Sequence, residues 1–341
     1  MNIVGLDIGG ANLKAAHVDG VAESLPFPIW KHPEQLSNQL EQLLSRFENV
    51  DALAVTMTAE LADCFESKSA GVDFVLASVE KVAAGRPVIV WQTGAEFVTV
   101  EVAQQIPLLV AAANWHALAT WVGRIVPTGS SLLIDIGSTT TDIIPLFDGV
   151  PVPTGLTDLD RLQSNELVYS GVLRTPLSAL AQSVPFRDQT CSIAAEYFAT
   201  TQDIYLIRGN LEESEENNET ANGKPATVHH AKMRLARMLC ADHTEISDDE
   251  LTQLAHFFSD TQRRIVSDAI KSVLSRLESN CQAVLFSGVG TFLGQKSVAA
   301  VPRLDGAQSH FLSDILTPES SIAACAFACA RLAAERVEFR I

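Results

Sequence analysis

Two segments of the chain repeat one arrangement of acidic and small polar residues. The first segment, 6–15, reads LDIGGANLKA, and the second, 134–143, reads IDIGSTTTDI. Each has a short apolar strand that ends in Asp, a turn of small residues, and a second strand. The next turn also repeats, as Asp19-Gly20 in the first copy and Asp148-Gly149 in the second. This repeat predicts that the two halves of the chain share one fold.

The two turns carry groups that bind phosphate oxygens. Glycine lets the backbone approach a ligand closely, while N–H groups, hydroxyls and a lysine ammonium supply the donors. We therefore predict that the turns face one another and hold a phosphate or diphosphate. The alternative is a pair of ordinary glycine-turn hairpins. The predicted phosphate-binding residues are Gly9, Gly10, Asn12, Lys14, Gly137, Ser138, Thr139, Thr140 and Thr141.

The first strand of each copy ends in an acid, Asp7 or Asp135. We expect these two carboxylates to face each other across a cleft. Two carboxylates beside a phosphate group are a setting in which proteins hold Mg²⁺, which keeps water and phosphate oxygens as its other ligands. The sequence thus predicts Mg²⁺ as a cofactor, with Asp7 and Asp135 as metal ligands.

Five further positions are candidates for contact with a substrate or nucleotide. Gly288 and Gly290 form a Gly-Val-Gly turn after a predicted strand, where the backbone can approach a flat group, although such turns are common. Glu60 lies either at the cleft mouth or at a helix N-terminus, where an acid favours the helix dipole. Arg161 and Arg174 either bind a substrate carboxylate or form surface or interdomain ion pairs. The P-loop and Rossmann patterns are absent from the strand-to-helix junctions.

The elements that must position these residues alternate between strand and helix in both halves, which is typical of an α/β fold. A hairpin at the start of each half predicts mixed rather than all-parallel sheets. The apolar pattern breaks at Pro127, so we predict an N-terminal domain at 1–127 and a C-terminal domain at 128–341.

The spacing of apolar residues predicts the type of the less regular segments. We expect helices over 108–126 and, with a break at a proline, over 157–181, and a strand over 203–207. Glutamates dominate 210–226, which predicts a solvated acidic insert. A final apolar helix is predicted over 319–336.

The composition limits the kinds of partner. Of the 341 residues, 47% are hydrophobic and 19% are charged, a globular balance. The net charge of −17 argues against nucleic acid and against an anionic membrane surface. The six cysteines include no Cys-x-x-Cys pair, as expected of a reduced, cytoplasmic protein. We expect a small phosphorylated molecule as the ligand, and a homo-oligomer is compatible with this composition.

The paired Asp-x-Gly turns resemble those of the actin-like ATPase superfamily, which includes sugar kinases and Hsp70-type chaperones. The resemblance implies two duplicated, ribonuclease H-like α/β domains around an interdomain cleft. In that superfamily the turns are the two phosphate motifs, and the Gly-Val-Gly turn resembles the adenosine motif. Five segments narrow the resemblance to the hydantoinase/oxoprolinase-like proteins linked to tetrahydromethanopterin one-carbon metabolism: 57–64, 113–115, 137–145, 171–176 and 237–242.

This narrower resemblance implies a transferase of methanofuran-type cofactor biosynthesis. Such an enzyme joins a tyramine- or tyrosine-type phenol to the methylene of an aminomethylfuran and expels diphosphate. Fixed N–H donors and Mg²⁺ would neutralise the leaving group. A carboxylate would take the phenol proton, and Asp7, Asp135 and Asp142 are the catalytic candidates.

Two other functions compete with this one. The first is an ATP-dependent small-molecule kinase or ATPase of the same fold, with ATP as cofactor. The second is a non-catalytic nucleotide sensor or assembly partner, which would bind without turnover.

Overall fold

A computed structural model describes residues 1–337, and residues 338–341 of the predicted C-terminal domain lie outside the described part. The described residues form two six-stranded sheets and one two-stranded sheet. The strands are β1 (Ile3–Ile8), β2 (Asn12–His17), β3 (Ala22–Pro26), β4 (Ala52–Met57), β5 (Val88–Gln92), β6 (Glu96–Thr99), β7 (Ser130–Ile136), β8 (Thr141–Phe147), β9 (Val150–Pro151), β10 (Leu167–Val168), β11 (Ser183–Phe186), β12 (Gln189–Ser192), β13 (Ala283–Ser287) and β14 (Gln308–Phe311).

Helices cover both large sheets. They are α1 (Leu36–Leu44), α2 (Lys68–Ala83), α3 (Val100–Gln105), α4 (Pro107–Val110), α5 (Asn114–Val122), α6 (Asp158–Ser164), α7 (Leu177–Leu180), α8 (Thr201–Ile207), α9 (Val228–Arg237), α10 (Asp248–Ser275), α11 (Thr291–Val298), α12 (Pro318–Ile322) and α13 (Ala324–Val337). In residues 1–337, no helix combines the length and apolar character that crossing a bilayer requires.

The two large sheets have the same arrangement of central strands. The first runs in the order β3-β2-β1-β4-β5-β6, and the second in the order β10-β8-β7-β13-β14, with β9 beside β8. In each, the first strand pairs antiparallel with its hairpin partner and parallel with a strand from later in the half. This topology confirms the predicted α/β fold with duplicated, mixed sheets.

Strand β1 is buried on both faces, and alternate residues enter different cores. Val4, Leu6 and Ile8 pack with α1 and α2, while Ile3 packs with α5 and α13. A Cβ on Gly5 would lie 1.9 Å from the Ala326 carbonyl oxygen, so α13 packs directly on the strand backbone. The C-terminal helix therefore returns to the first sheet.

Helices α5 and α13 also contact the second sheet. Leu118 of α5 and Ala328 of α13 share one apolar cluster with Leu133 of β7 and Leu285 of β13. The α5–α13 pair therefore lies between the two sheets. Both helices pack against β1 and β7, the strands that carry Asp7 and Asp135.

Three predicted segments differ from the structure. The predicted strand at 203–207 is wrong: the segment belongs to α8, which begins with a capping box between Thr200 and Asp203. The helix predicted over 108–126 is interrupted between α4 and α5, where Ala112 adopts a φ of 47°. The helix predicted over 157–181 is mostly wrong, because α6 ends at Asn165 in a left-handed conformation and β10 follows.

The remaining two segment predictions fare better. The acidic insert at 210–226 is irregular, with one isolated bridge between Ser214 and Ala226, as expected of a loop. The predicted helix at 319–336 is present as α12 and α13, which Ala323 separates.

Candidate functional site

The two repeated hairpins have the same geometry. A hydrogen bond of 3.0 Å from Gly9 N to Asn12 O closes the first, and one of 2.9 Å from Gly137 N to Thr140 O closes the second. Asp7 stands opposite Lys14 in the first register, and Asp135 stands opposite Asp142 in the second. The structure thus reproduces the sequence repeat residue by residue.

Each hairpin turn is held in place through its carbonyl groups. In the second, Val172 N and Leu173 N donate to Gly137 O and Ser138 O, both at 3.1 Å. The segment around Gly171 can approach this closely because glycine has no Cβ. A Cβ at this position would lie 2.5 Å from the Ser138 backbone. The first turn is held in the same way, by bonds from 27–29 to the carbonyls of Gly10 and Ala11.

The N–H groups of the turns remain available. Within residues 1–337, no hydrogen bond is donated by the backbone N–H of Gly10, Ala11, Ser138 or Thr139. The turn carbonyls accept hydrogen bonds from neighbouring segments, whereas these N–H groups are left to donate to a ligand. A set of N–H donors of this kind suits an anion. This arrangement supports the predicted phosphate-binding role of both turns, which stays a prediction.

Asp7 is buried, Asp135 is partly buried, and the charge of Asp7 acts on Asp135. Burial, together with the charges of Asp142 and Asp7, raises the pKa of Asp135 to about 6, against the opposing effects of Ser287 and Lys14. Burial also raises the pKa of Asp7, while Lys14 lowers it. Charge effects of this kind require close approach. Asp7, Lys14, Asp135 and Asp142 therefore lie in one region of the structure, and the roles predicted for them stay predictions.

Two neighbours of these acids were not anticipated as site residues. Thr56 of β4 is the register partner of Asp7, and Ser287 of β13 is the register partner of Asp135. The Ser287 hydroxyl lowers the pKa of Asp135. Parallel strands end at the same edge of a sheet, so a polar residue at the end of β4 or β13 is expected to lie beside Asp7 or Asp135. This pattern is the sequence feature from which Thr56 and Ser287 could have been predicted.

A magnesium ion at this site would rely on two protein carboxylates. Oδ1 of Asp7 is buried without a hydrogen-bond partner, which fits a group that awaits a cation. Among the residues that the structure describes, no cluster of three or more His, Cys, Asp or Glu side chains is suited to a metal. Asp7 and Asp135 with phosphate oxygens are nevertheless a sufficient set for Mg²⁺, which usually keeps several non-protein ligands.

Arg161 and Arg174 occupy different environments. Arg161 is 1% exposed and pairs with Asp142, and its guanidinium lies 3.9 Å from the centre of the Trp115 ring. Arg161 thus forms a buried ion pair between α6 and β8, within the predicted C-terminal domain rather than at the surface or between domains, and it stacks on α5. Arg174 is exposed, and its guanidinium lies 5.4 Å from the ring centre of Trp30, beside the first hairpin.

Gly288 and Gly290 lie directly against the end of β7. A Cβ on Gly288 would approach the Ile136 carbonyl oxygen to 2.3 Å and Oδ1 of Asp135 to 2.7 Å. A Cβ on Gly290 would come within 2.3 Å of the Ile136 side chain. Close packing beside Asp135 thus explains both glycines, and contact with a nucleotide stays a prediction.

Glu60 follows β4 and is 1% exposed. Both of its carboxylate oxygens are buried and lack a hydrogen-bond partner. Burial, with the charge of Asp158, raises its pKa to about 7, while the nearby N–H groups of Glu60 and Ala112 and the charge of Lys68 lower it. Those N–H groups approach the carboxylate without reaching ordinary hydrogen-bond geometry. Glu60 is thus neither at an open mouth nor capping a helix.

The duplicated sheets, the paired hairpins and the helices between the sheets define an α/β protein of the actin-like ATPase fold, built around a candidate phosphate site. The chain belongs to the hydantoinase/oxoprolinase family, whose model matches residues 51–336.

Two relatives carry the same name, (4-{4-[2-(gamma-L-glutamylamino)ethyl]phenoxymethyl}furan-2-yl)methanamine synthase. The protein from Methanocaldococcus jannaschii is 39% identical over 84% of this chain and 86% of its own length. The protein from Methanococcus vannielii is 37% identical over 47% of this chain and 70% of its own length. Among solved structures, the chain is similar to Ta0583, an archaeal actin homolog in complex with ADP, with 14% identity, a TM-score of 0.46, and coverage of 98% and 100%.

Proposed function

We propose that this protein is an ether-forming transferase of methanofuran-type cofactor biosynthesis. It joins a tyramine- or tyrosine-type phenol to the methylene carbon of an aminomethylfuran diphosphate and releases diphosphate. The observation that carries the proposal is the 39% identity, over 84% of the chain, to a synthase named for a phenoxymethylfuran product.

The hairpins supply what a diphosphate leaving group needs. The open N–H groups of both turns can bind its oxygens, and Lys14 adds a positive charge. Asp7 and Asp135 would hold Mg²⁺, which supplies charge neutralisation of the diphosphate when it is bound. The furan ring stabilises a cationic methylene carbon, so the protein mainly has to hold the leaving group and orient the phenol.

Arg174 is the candidate for binding the far end of the phenol substrate. Its guanidinium is exposed and lies over Trp30, beside the first hairpin. A guanidinium binds a carboxylate in a bidentate manner. A glutamyl or tyrosyl carboxylate is the group that this side chain would recognise. Arg161 is unsuited to this role because Asp142 already pairs with it.

A turnover assay tests the proposal. Purified protein is incubated with synthetic aminomethylfuran diphosphate, Mg²⁺ and, in separate reactions, γ-glutamyltyramine, tyramine or tyrosine. We expect the coupled ether by mass spectrometry together with one equivalent of diphosphate. Absence of ether with all three phenols, combined with ADP release from Mg-ATP, would instead establish the kinase or ATPase alternative.

The expected partners follow from the same chemistry. The ligands are small molecules, and we propose no role for nucleic acid or a membrane surface, given the net charge of −17. Cytoplasmic placement is part of the proposal because the cysteines of the described residues are free thiols.

A further inference from the structure

Glu60 lies in the segment that connects β4 to α2. Thr58 N and Ala59 N both donate to the carbonyl of Ile8, at 2.9 and 3.1 Å, so the segment after β4 lies against the last residue of β1. On the other side, a Cβ on Gly71 of α2 would lie 2.1 Å from the Glu60 carbonyl oxygen. The backbone of Glu60 is thus held between α2 and the base of the phosphate-binding turn.

The charged groups that face the Glu60 carboxylate come from both halves of the chain. Lys68 belongs to α2 of the first half, and Asp158 belongs to α6 of the second. These two side chains pair with each other at 3.7 Å. The Glu60 carboxylate therefore lies where the halves meet, and Lys68 is shared with Asp158 rather than committed to Glu60.

Other polar atoms without partners surround the same junction. Among the described residues they include Oδ1 of Asp7, Oγ1 of Thr56, Nε1 of Trp115 and Nε of Arg161. Thr56 is the register partner of Asp7, and Arg161 stacks on Trp115. Asn114, next to Trp115, lowers the pKa of Asp7. Buried polar atoms usually have partners, so a group of unpaired ones at one junction indicates a polar ligand there.

The acids of this junction differ in how they are neutralised. Asp7 and Asp135 end the strands that present the phosphate-binding turns, and Asp142 pairs with Arg161. Burial raises the pKa of Asp142 against the opposing effect of Arg161, but protonation of Asp142 would break its pair with that buried guanidinium. No hydrogen bond of ordinary geometry reaches either Glu60 carboxylate oxygen among the described residues, and Lys68, the cation that acts on it, pairs with Asp158.

We propose that Glu60 is the catalytic base that accepts the phenol proton during ether formation. This inference rests on the proposed function and replaces Asp7, Asp135 and Asp142 in that role. In the step, the bond between the furan methylene carbon and the diphosphate oxygen breaks, and its electron pair leaves with diphosphate. The phenol oxygen forms the new bond to that carbon, and its proton moves to a Glu60 carboxylate oxygen.

The acidity of Glu60 suits this task. A phenol has an ordinary pKa near 10, and a base is most effective when its own pKa lies near the working pH. Burial and Asp158 raise the pKa of Glu60 to about 7, against the opposing effect of Lys68. The carboxylate is then ionised in a useful fraction of molecules at neutral pH and holds the accepted proton well.

Glu60→Gln tests the role, with Glu66→Gln as the matched control because Glu66 is exposed in the same segment. General-base catalysis contributes about 10²- to 10⁴-fold, so we expect kcat of Glu60→Gln to fall by that factor at pH 7.5. We expect KM for the furan diphosphate to change little. The acidic limb of the wild-type kcat/KM profile, near pH 7, should disappear in this variant and persist in Glu66→Gln.

Phenol substrates with a lower pKa distinguish a catalytic base from a residue that only supports the fold. A ring-fluorinated tyramine is largely ionised at pH 8.5 and needs no proton acceptor. We expect Glu60→Gln to recover most of its lost rate with this acceptor, whereas a variant damaged in its fold recovers nothing. Circular dichroism and the melting temperature of both variants confirm that each is folded before the rates are compared.

Two outcomes would overturn the inference. One is a Glu60→Gln variant with wild-type kcat and an unchanged pH profile. The other is a folded variant whose loss of rate is the same for all phenols, whatever their acidity. In both cases the wild-type protein still forms the ether, so the proposed function stands. If the wild-type protein forms no ether with any phenol, the proposed function itself fails.

Discussion

Lys14 and Asp142 hold equivalent positions in the two hairpins but carry opposite charges. Lys14 lowers the pKa of both Asp7 and Asp135, so its positive charge reaches both acids. Asp142 is neutralised by the buried Arg161. The two hairpins thus have similar backbones but different electrostatic roles, since one brings a cation to the site and the other forms an ion pair within the second half of the chain.

At the scale of single residues, the first prediction concerns the strand-ending acids. Asp7→Asn and Asp135→Asn each keep the size of the side chain but remove one carboxylate charge that we propose binds Mg²⁺. We expect each to lower kcat/KM for ether formation by at least about 100-fold, because leaving-group stabilisation is lost. Asp73→Asn, an exposed change on α2, is the control and should keep its activity. Full activity of Asp7→Asn at saturating Mg²⁺ would contradict the proposed site.

A second prediction at this scale concerns Arg161. Arg161→Met leaves Asp142 partly buried without its partner, and breaking such a pair costs about 3–5 kcal/mol. Urea denaturation should therefore show a large loss in the free energy of unfolding. The double variant Arg161→Met, Asp142→Leu should regain much of it, since a well-packed apolar pair can replace a buried ion pair. A loss below 1 kcal/mol in the single variant would show that the pair is not structural.

At the scale of elements, the contact between β1 and α13 determines where the C-terminal helix packs. The strand lies under the backbone of α13 at Gly5, where any side chain would overlap the Ala326 carbonyl. Because α5 and α13 also contact the second sheet, this contact connects the position of the C-terminal helix to both hairpins.

Gly5→Ala tests this contact. The added methyl group would overlap backbone atoms, which cannot move as a flexible side chain can. We expect a loss of about 1–3 kcal/mol or more in the free energy of unfolding, measured in urea. Gly10→Ala is the matched control for stability, since its Cβ would meet nothing within 4 Å. Equal stability of the two variants would mean that α13 packs less closely than the structure shows.

At the scale of the whole molecule, His116 links stability to pH. It lies on α5 between the sheets, where Nε1 of Trp91 donates to its Nδ1 at 3.3 Å. Burial, with the charges of Arg161 and Arg336, lowers the pKa of His116 to about 4. The folded protein therefore holds this imidazole neutral, while the unfolded chain protonates it near pH 6.5.

The sign of this effect gives a prediction. Between pH 6.5 and 4 the unfolded state binds the extra proton, so the free energy of unfolding falls as the pH is lowered through that range. The contribution of His116 is about 3 kcal/mol across the full interval. His116→Gln should show a shallower pH dependence than the wild type in urea denaturation at pH 7, 6, 5 and 4. Parallel curves for the two proteins would exclude His116 as the cause.

Local pattern was sufficient to predict much of the site. The apolar run before each Asp, the small residues after it and the second strand specify a hairpin through short-range interactions, so the repeat at Asp7 and Asp135 was readable. The position of α8 was less so, because an apolar run as short as 203–207 suits a strand and a buried helix equally. The capping residues Thr200 and Asp203 were the signal that distinguishes the two.

What the sequence determined is therefore the pair of repeated hairpin turns, their acids and the α/β character, since each depends on residues close together in the chain. Only the tertiary structure decided which acids are neutralised. Asp142 meets Arg161, which comes from a separate helix, while Glu60 is buried at the junction of the halves with no hydrogen-bond partner among the described residues. Charge pairing in a folded protein depends on distances between atoms that the chain brings together, and spacing along the sequence does not contain those distances.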